Sequence, residues 1–263
     1  MVMSKMNSLK TVLCDLDGVI WLAHEPIAGS TDAIARLRER GIRVLFVTNN
    51  SFSTRAQQHA ALERVGIAAE GHVVTSAMAA STHISDGERV LVCGGEGLIE
   101  EVTRKGAEVV VPYRVESVTG TFDSVVVGFH REFNFEVLSA ALTAVRHGAR
   151  LIGSNSDPTY PTPQGPIPGG GSILAAIEHA TGVRAIVTGK PHQPMADLVL
   201  SLDPNVEAHQ MMMVGDVVST DGAFARTLGC AFGLVLSGMT SSADGIDADI
   251  VGANLAAIVD QIV

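Results

Sequence analysis

Short apolar runs alternate with helical patterns along most of this chain, and no other sequence feature constrains the fold as much. An apolar run at 11–14 is followed by helical periodicity at 30–40, a second apolar run at 43–47 and a second helical pattern at 54–65. Strands that alternate with helices in this way form a parallel sheet with right-handed crossovers. The sequence therefore predicts an α/β fold in which helices flank a parallel sheet.

The same alternation continues further along the chain. Strands are predicted at 89–93, 108–111, 124–128, 150–153, 185–187 and 211–214, and helices at 98–105, 135–147, 171–182 and 194–202. The segment 157–171 is rich in proline and glycine, which predicts a loop or a hairpin there. For the first helix, Ser30 or Thr31 is the predicted cap and Gly41 the predicted end, while Gly66 is predicted to end the second.

Composition and charge narrow the range of partners. The chain is 46% hydrophobic, has a formal net charge of -10 and contains no cluster of lysine and arginine, which disfavours nucleic acid and an anionic membrane surface as partners. Cys14, Cys93 and Cys230 are too dispersed for a disulfide framework and are expected to be buried small side chains. The sequence has no apolar run long enough to span a bilayer and no signal-peptide pattern in its first ten residues. We therefore expect a cytoplasmic protein.

Four polar segments each follow a predicted strand. They are D-L-D-G at 15–18, T-N-N-S at 48–51, G-K-P at 189–191, and 215–221, which contains two aspartates. Taken singly, each has a plain reading as a turn or a helix cap. The carboxyl ends of parallel strands open at one edge of a sheet, however, so these segments are expected to converge in one crevice.

The chemistry of the four segments is complementary. Several carboxylates in one crevice favour a hard cation such as Mg²⁺, which shares its ligand shell with phosphate. A lysine and a threonine hydroxyl can contact phosphate oxygens. One carboxylate can attack as a nucleophile and form an aspartyl-phosphate, and a second, two residues along, can transfer the protons.

In this order, the motifs closely match a known family. The chain resembles the haloacid dehalogenase-like hydrolases, and within them the NagD-like, C2-capped phosphatases of subfamily IIA, which include the p-nitrophenylphosphatases. The resemblance rests on D-L-D-G-V at 15–19, V-T-N-N-S at 47–51, T-G-K-P at 188–191 and V-G-D-x-x-x-T-D at 214–221. It extends over nearly the whole chain.

The resemblance implies a role for each matching residue. Asp15 would be the nucleophile, Asp17 the acid and base, and Lys190 the residue that neutralises the nucleophile and the phosphoryl group. The implied magnesium ligands are Asp15, Asp17 through its backbone carbonyl, Asp216, and Asp221 in the same acidic cluster. The implied phosphate contacts are Thr48, Asn49 through its amide, Asn50 and Lys190.

The resemblance also implies two domains. A Rossmann-like catalytic core would comprise residues 1–84 and 184–263, and an inserted α/β cap of the C2 type would comprise 85–183. Within the insert, 155–162 and 168–172 resemble the segment that faces the active site, and Asn155, Asp157 and Tyr160 are candidate substrate contacts there. Hairpin structure explains these three residues equally well.

The predicted function is Mg²⁺-dependent hydrolysis of a small phosphorylated metabolite through an aspartyl-phosphate. Two alternatives stay open: a phosphotransferase that uses the same intermediate, and a protein that accepts or binds phosphate without hydrolysis. The sequence leaves the natural substrate open. By the resemblance, a homodimer formed through the cap is also compatible with this chain.

Overall fold

The computed structural model describes residues 8–22, 25–160, 162 and 164–263. It divides into two compact units. The first unit contains the described residues up to Thr48, together with Ala56–Val74 and Lys190–Val263; the second contains Asn49–Arg55 and Thr75–Gly189. The predicted insert, 85–183, lies within the second unit. The expectations that concern residues 1–7 and Pro161 fall outside the described residues.

Strands and helices alternate through both units. The strands are β1 (Thr11–Cys14), β2 (Trp21–Leu22), β3 (Glu25–Pro26), β4 (Arg43–Thr48), β5 (Val73–Thr75), β6 (Arg89–Cys93), β7 (Glu108–Val110), β8 (Ser124–Val127), β9 (Arg150–Gly153), β10 (Thr159–Tyr160), β11 (Ile167–Pro168), β12 (Ile186–Val187), β13 (Met211–Gly215), β14 (Ala231–Val235) and β15 (Ile250–Gly252). The α-helices are α1 (Ser30–Glu39), α2 (Arg55–Arg64), α3 (Ser76–Ser81), α4 (Glu96–Arg104), α5 (Phe135–Arg146), α6 (Gly170–Thr181), α7 (Gln193–Leu202), α8 (Ala223–Leu228) and α9 (Leu255–Val259).

The first unit is built on a sheet with β1 near its centre. Among the described residues this sheet has the strand order β15-β14-β13-β1-β4-β5. β1 pairs in parallel with β13 on one side and β4 on the other. Val12, Val44 and Phe46 are almost completely buried in the core of this unit. All four residues of β1 are buried, because a central parallel strand is covered on both faces.

The second unit has its own parallel sheet and its own core. Its strand order, within the described residues, is β12-β9-β8-β6-β7. Val125 and Val127 of β8 pack with residues of α5 and α6 such as Ala141 and Ile177. The proline- and glycine-rich segment contains the antiparallel hairpin of β10 and β11. A loop or a hairpin was predicted there, and the structure has the hairpin. The predicted fold, helices flanking parallel sheets, is confirmed.

The predicted cap of α1 is wrong. The N-cap residue is Gly29, at φ 84°, and no side chain caps the helix. The hydroxyl of Ser30 donates instead to Val19 O at 2.9 Å, and that of Thr31 donates to Val65 O at 2.8 Å. Both hydroxyls therefore connect α1 to neighbouring segments through tertiary hydrogen bonds. A rule based on local sequence predicts capping and does not predict such contacts.

The chain beyond residue 215 contains elements that the apolar patterns did not predict, notably β14, β15 and α9. The hairpin of β2 and β3, strand β5 and helix α3 were also missed. No helix in the described parts of the chain combines the length and the apolar character needed to cross a bilayer. Cys14 and Cys93 are buried as expected, and Cys230 is partly exposed.

Candidate active site

The carboxyl end of β1 turns sharply and presents Asp15. The amide of Asp15 donates to Val214 O of β13 at 2.9 Å, so the residue continues the sheet by one further hydrogen bond. The amide of Ile20 then donates to Leu16 O at 2.8 Å and closes the turn. Gly18 lies at φ +78°, a left-handed conformation that glycine adopts without steric cost. The predicted strand-then-turn geometry of D-L-D-G is therefore present.

Lys190 joins two of the predicted carboxylates. Its Nζ lies 2.9 Å from Asp15 Oδ1 and 2.8 Å from Asp221 Oδ1, and the side chain is only 2% exposed. Burial by itself lowers the pKa of Lys190, but the two carboxylates outweigh burial and the net shift is upward. The ammonium group is therefore charged at neutral pH.

Asp221 is held by a second donor and by close packing. Its Oδ2 accepts a hydrogen bond from the amide of Val217 at 3.1 Å, within a turn of π-helix that spans Val218–Gly222. A Cβ on Gly215 would lie 2.2 Å from the carboxyl carbon of Asp221. The G-D of the fourth motif thus needs glycine because the second aspartate packs directly on the backbone of the strand end.

Asp216 is buried and receives a hydrogen bond that the sequence did not suggest. The amide of Met239 donates to Asp216 Oδ2 at 2.6 Å. Burial raises the pKa of Asp216 to about 6, although the Met239 amide and Lys190 act in the opposite direction. Residues 237–239 follow β14 as the four predicted segments follow their own strands. That position would have drawn attention to the segment if β14 had been predicted, but the contact through the Met239 amide has no signal in the sequence.

Asp15, Asp216 and Asp221 form a group suited to a cation. One carboxylate oxygen from each lies within 4.8 Å of the others, and no second group of this kind occurs among the described residues. Burial and the two neighbouring carboxylates raise the pKa of Asp15, while Lys190 opposes this shift. Three carboxylates face one ammonium group, so the donor set carries an excess of negative charge. Its all-oxygen chemistry fits Mg²⁺ or Ca²⁺.

Asp17 and Thr48 belong to the same unit as this carboxylate group. Asp17 is partly exposed, and its Oδ1 accepts a hydrogen bond from the indole Nε1 of Trp21 at 3.1 Å. The side chain of Asp17 is not one of the three carboxylates in the group. Thr48 is buried at the end of β4, the strand beside β1. The structure therefore brings Asp15, Lys190, Asp216 and Asp221 together. Asp17 lies in the turn that follows β1, and Thr48 is the last residue of β4.

The other candidate residues lie in the second unit, where they bind one another. Asn49 Nδ2 donates to Asp157 Oδ2 at 2.9 Å, and Asn155 Nδ2 donates to Asn49 O at 2.8 Å. The hydroxyl of Ser76 donates to the same carbonyl at 2.7 Å. In this arrangement the side chains of Asn49, Asn155 and Asp157 fix the segment 155–157 to the segment 49–51.

Asn50 and Tyr160 form a second contact between these segments. Asn50 Nδ2 lies 3.4 Å from the Tyr160 hydroxyl, while Asn50 Oδ1 accepts from the amides of Phe52 and Ser53. The ring of Tyr160 stacks on Phe129 with a centroid distance of 5.0 Å. Tyr160 therefore contacts Asn50 through its hydroxyl and Phe129 through its ring.

Comparison with known proteins identifies the family. The model for haloacid dehalogenase-like hydrolases matches residues 12–108, and a second model, described as HAD-hydrolase-like, matches 187–261. The acid sugar phosphatase of Staphylococcus saprophyticus is 34% identical, over 82% of this chain and 82% of its own. This chain belongs to the haloacid dehalogenase-like hydrolases. The 5'-nucleotidase YutF of Bacillus subtilis is 32% identical, over 89% of this chain and 90% of its own.

Solved structures of the family share the fold over nearly the full chain. The p-nitrophenyl phosphatase from Archaeoglobus fulgidus is 31% identical with a TM-score of 0.86, covering 96% of this chain and 99% of its own. The glycerol phosphate phosphatase from Mycobacterium tuberculosis in complex with magnesium is 30% identical with a TM-score of 0.84, covering 97% and 77%. The predicted family, the Rossmann-like fold and the phosphatase class are confirmed.

Proposed function

We propose that this haloacid dehalogenase-like hydrolase removes the phosphoryl group from small phosphorylated metabolites, with Mg²⁺ as its cation and Asp15 as its nucleophile. The observation that carries the proposal is the contact of Lys190 with Asp15 inside the group of three carboxylates. A buried ammonium group beside the attacking oxygen and an acidic pocket for a cation are what transfer of a dianionic phosphoryl group requires.

Each of the core motifs has a part in the proposed reaction. An Asp15 oxygen attacks phosphorus, the bond from phosphorus to the ester oxygen breaks, and Asp17 gives its proton to the departing oxygen. Asp17 then takes a proton from water as the water attacks the aspartyl-phosphate, which releases inorganic phosphate and restores Asp15. Thr48, the amide of Asn49 and Lys190 contact the phosphoryl oxygens. When bound by Asp15, Asp216, Asp221 and the Asp17 carbonyl, Mg²⁺ supplies positive charge to the transferring group.

The second unit is proposed to act as the cap of the family. We infer that its hairpin shapes the substrate pocket, and that Asn49, Asn50, Asn155, Asp157 and Tyr160 hold this hairpin in position. The relatives named above act, by their names, on sugar phosphates, nucleotides and glycerol phosphate. A small phosphate ester is therefore the proposed substrate class.

The proposal is tested by measuring release of phosphate from a panel of sugar, nucleotide and glycerol phosphates, first with Mg²⁺ and then with EDTA. Turnover that depends on Mg²⁺ and falls about 10⁴-fold or more in Asp15→Asn is the expected result. Asp247→Asn is the matched control, because Asp247 is an exposed carboxylate of the same unit. Turnover by Asp15→Asn at the rate of Asp247→Asn would overturn the assignment of the nucleophile.

A glycerol acceptor included in the same assay separates hydrolysis from transfer. A hydrolase releases one inorganic phosphate for each ester consumed. Phosphorylated glycerol formed in place of phosphate would instead establish a phosphotransferase with the same intermediate.

A further inference from the structure

The segment Ser237–Met239, which follows β14, packs against Asp216, which follows β13. The amide of Met239 donates to Asp216 Oδ2 at 2.6 Å. A Cβ on Gly238 would lie 2.0 Å from the same oxygen. The backbone of this segment therefore packs directly against the carboxylate and gives it a charge-assisted hydrogen bond.

The same segment is tied to the turn that follows β1. The hydroxyl of Ser237 donates to Gly18 O at 2.6 Å. Gly18 also lies against Asp216, where a Cβ would come 2.4 Å from the carboxyl carbon and from Oδ2. Asp216 is thus confined between two glycines, and a side-chain hydrogen bond connects the two backbones that confine it.

The side chain of Met239 contributes little to this packing. It is 80% exposed, and the link to Asp216 comes from the backbone amide alone. Asp216 is buried and its pocket has room for few orientations of the carboxylate, so the donor decides which oxygen stays free for another partner.

We propose that Ser237–Met239 is a positioning segment that orients Asp216 and so sets the affinity of the site for Mg²⁺. This rests on the proposed function, in which Asp216 is a magnesium ligand. Groups that hydrogen-bond to a ligating carboxylate typically change metal affinity about 10- to 100-fold when they are removed. The segment acts through Asp216 and makes no contact with the reacting atoms.

The test measures Mg²⁺ binding without substrate, by calorimetric titration of the intact protein with MgCl₂. Met239→Pro removes the donor amide and is expected to raise the dissociation constant about 10- to 100-fold. Met239→Ala keeps the amide and is expected to keep the constant of the unsubstituted protein. Equal constants for the proline and alanine variants would overturn the proposal.

Gly238→Ala is a second, independent test. It keeps the Met239 amide but places a methyl group against Asp216. Gly238 lies outside the left-handed region, so its replacement introduces the steric contact without backbone strain. It is expected to weaken Mg²⁺ binding to a similar degree. Gly233→Ala is the matched control: a Cβ there would meet its neighbours at ordinary distances of 3.4 Å or more, away from Asp216. Weaker binding in both glycine variants, or in neither, would contradict the proposal.

Two measurements keep this inference separate from the proposed function. Unfolding temperatures without metal report whether each variant is folded, and if Met239→Pro is not folded the glycine pair decides the outcome. Asp216→Asn reports whether Mg²⁺ uses Asp216. Unchanged binding in Asp216→Asn would overturn the proposed ligand set itself, whereas weakened binding there with unchanged binding in Met239→Pro and Gly238→Ala would overturn only the positioning role.

Discussion

Lys190 neutralises part of a buried excess of negative charge. Its ammonium group contacts Asp15 and Asp221. The side chains of Lys190 and Asp221 are almost completely buried. Taking charges out of water costs several kcal/mol for each ion, which the pairing offsets only while every partner is present. The residue that serves phosphoryl transfer in the proposed mechanism therefore also stabilises the fold of the first unit.

Replacement of this lysine is expected to destabilise the protein as well as inactivate it. Lys190→Met leaves two carboxylates without their cation and should lower the free energy of unfolding by about 3–5 kcal/mol, measured by urea denaturation without metal. Arg36→Met is the control, because it removes an ion pair with Asp260 that is largely exposed and is worth only about 0–1 kcal/mol. A loss for Lys190→Met as small as that for Arg36→Met would contradict this account.

His130 is the second buried titratable residue with a clear consequence. It stacks on Tyr113 and meets Phe133 edge to face, and its Nδ1 lies 3.2 Å from Gly128 O. Among the described residues, its Nε2 has no hydrogen-bond partner. Burial lowers the pKa of His130 from its ordinary value of 6.5, although the Gly128 carbonyl and Glu132 oppose this. The folded protein therefore holds the ring neutral.

This shift predicts a loss of stability at acid pH. A histidine with a lowered folded-state pKa contributes stability above its unfolded value, and that stability is lost as pH falls through 6.5 toward the folded value. His130→Phe keeps the stacking, so we expect a shallower decline of unfolding free energy between about pH 7 and 5. At pH 7 the free energy of unfolding should stay within about 1 kcal/mol of that of the unsubstituted protein, because loss of the unpaired Nε2 favours the variant and loss of the hydrogen bond to Gly128 O opposes this. His179→Phe, at an exposed position of α6, is the control and should keep the pH dependence of the unsubstituted protein. An unchanged pH dependence of the unfolding free energy in His130→Phe would show that His130 does not cause the loss of stability at acid pH.

At the scale of elements, the sequence predicted strands whose apolar runs have clear ends. The bounds of β6 and β9 agree with the predicted 89–93 and 150–153, because in both an arginine precedes a short run of buried residues. Several of the missed elements are short, such as the two-residue strands β2 and β3 and the three-residue β15, whereas the five-residue β14 is as long as β6. The short elements form through tertiary pairing and carry too little periodicity to be recognised alone.

The candidate site also contains residues that the sequence predicted and contacts that it did not. Asp15, Asp216 and Asp221 could be predicted because they follow β1 and β13, neighbouring strands of one parallel sheet. Lys190 follows β12, which belongs to the other sheet, so its place beside them was implied by the family motif and not by the order of the strands. The contact of Met239 with Asp216 could not, since it comes from a backbone amide and leaves no residue-type signal. The pairing of Asn49 with Asp157 joins residues 108 positions apart and depends on how the second unit packs.

The start of α6 requires glycine because the backbone of a neighbouring segment lies very close to it. A Cβ on Gly171 would lie 2.3 Å from the carbonyl carbon of Ser156, and the Gly171 amide donates to Asp157 O at 2.9 Å. Gly171→Ala should therefore lower the free energy of unfolding by about 1–3 kcal/mol, measured by urea denaturation, because the backbone must move.

The matched change is Ala175→Gly, at an exposed position of the same helix, which should cost about 1 kcal/mol through helix propensity alone. Alanine is the better helix former at both positions. A gain in stability for Gly171→Ala would therefore show that propensity governs this position and that the close approach does not.

For the whole molecule, each of the two units has its own sheet and core, and the carboxylate group lies entirely in the first. Mg²⁺ bound there is expected to stabilise the folded chain, since the acidic group has its affinity only when folded. At a concentration 100 times its dissociation constant the cation should add about 2.7 kcal/mol. Scanning calorimetry should show the rise for the unsubstituted protein and a much smaller one for Asp216→Asn; an equal rise in both would place the cation elsewhere.

In the proposed mechanism Asp15 carries the phosphoryl group during turnover. The most direct test is acid quenching of the protein with Mg²⁺ and p-nitrophenyl phosphate, followed by mass spectrometry of the peptides. We expect phosphate on Asp15, more of it in Asp17→Asn, where the water loses its base, and none in Asp15→Asn. Continued turnover by Asp15→Asn, or a phosphopeptide that excludes Asp15, would contradict this mechanism.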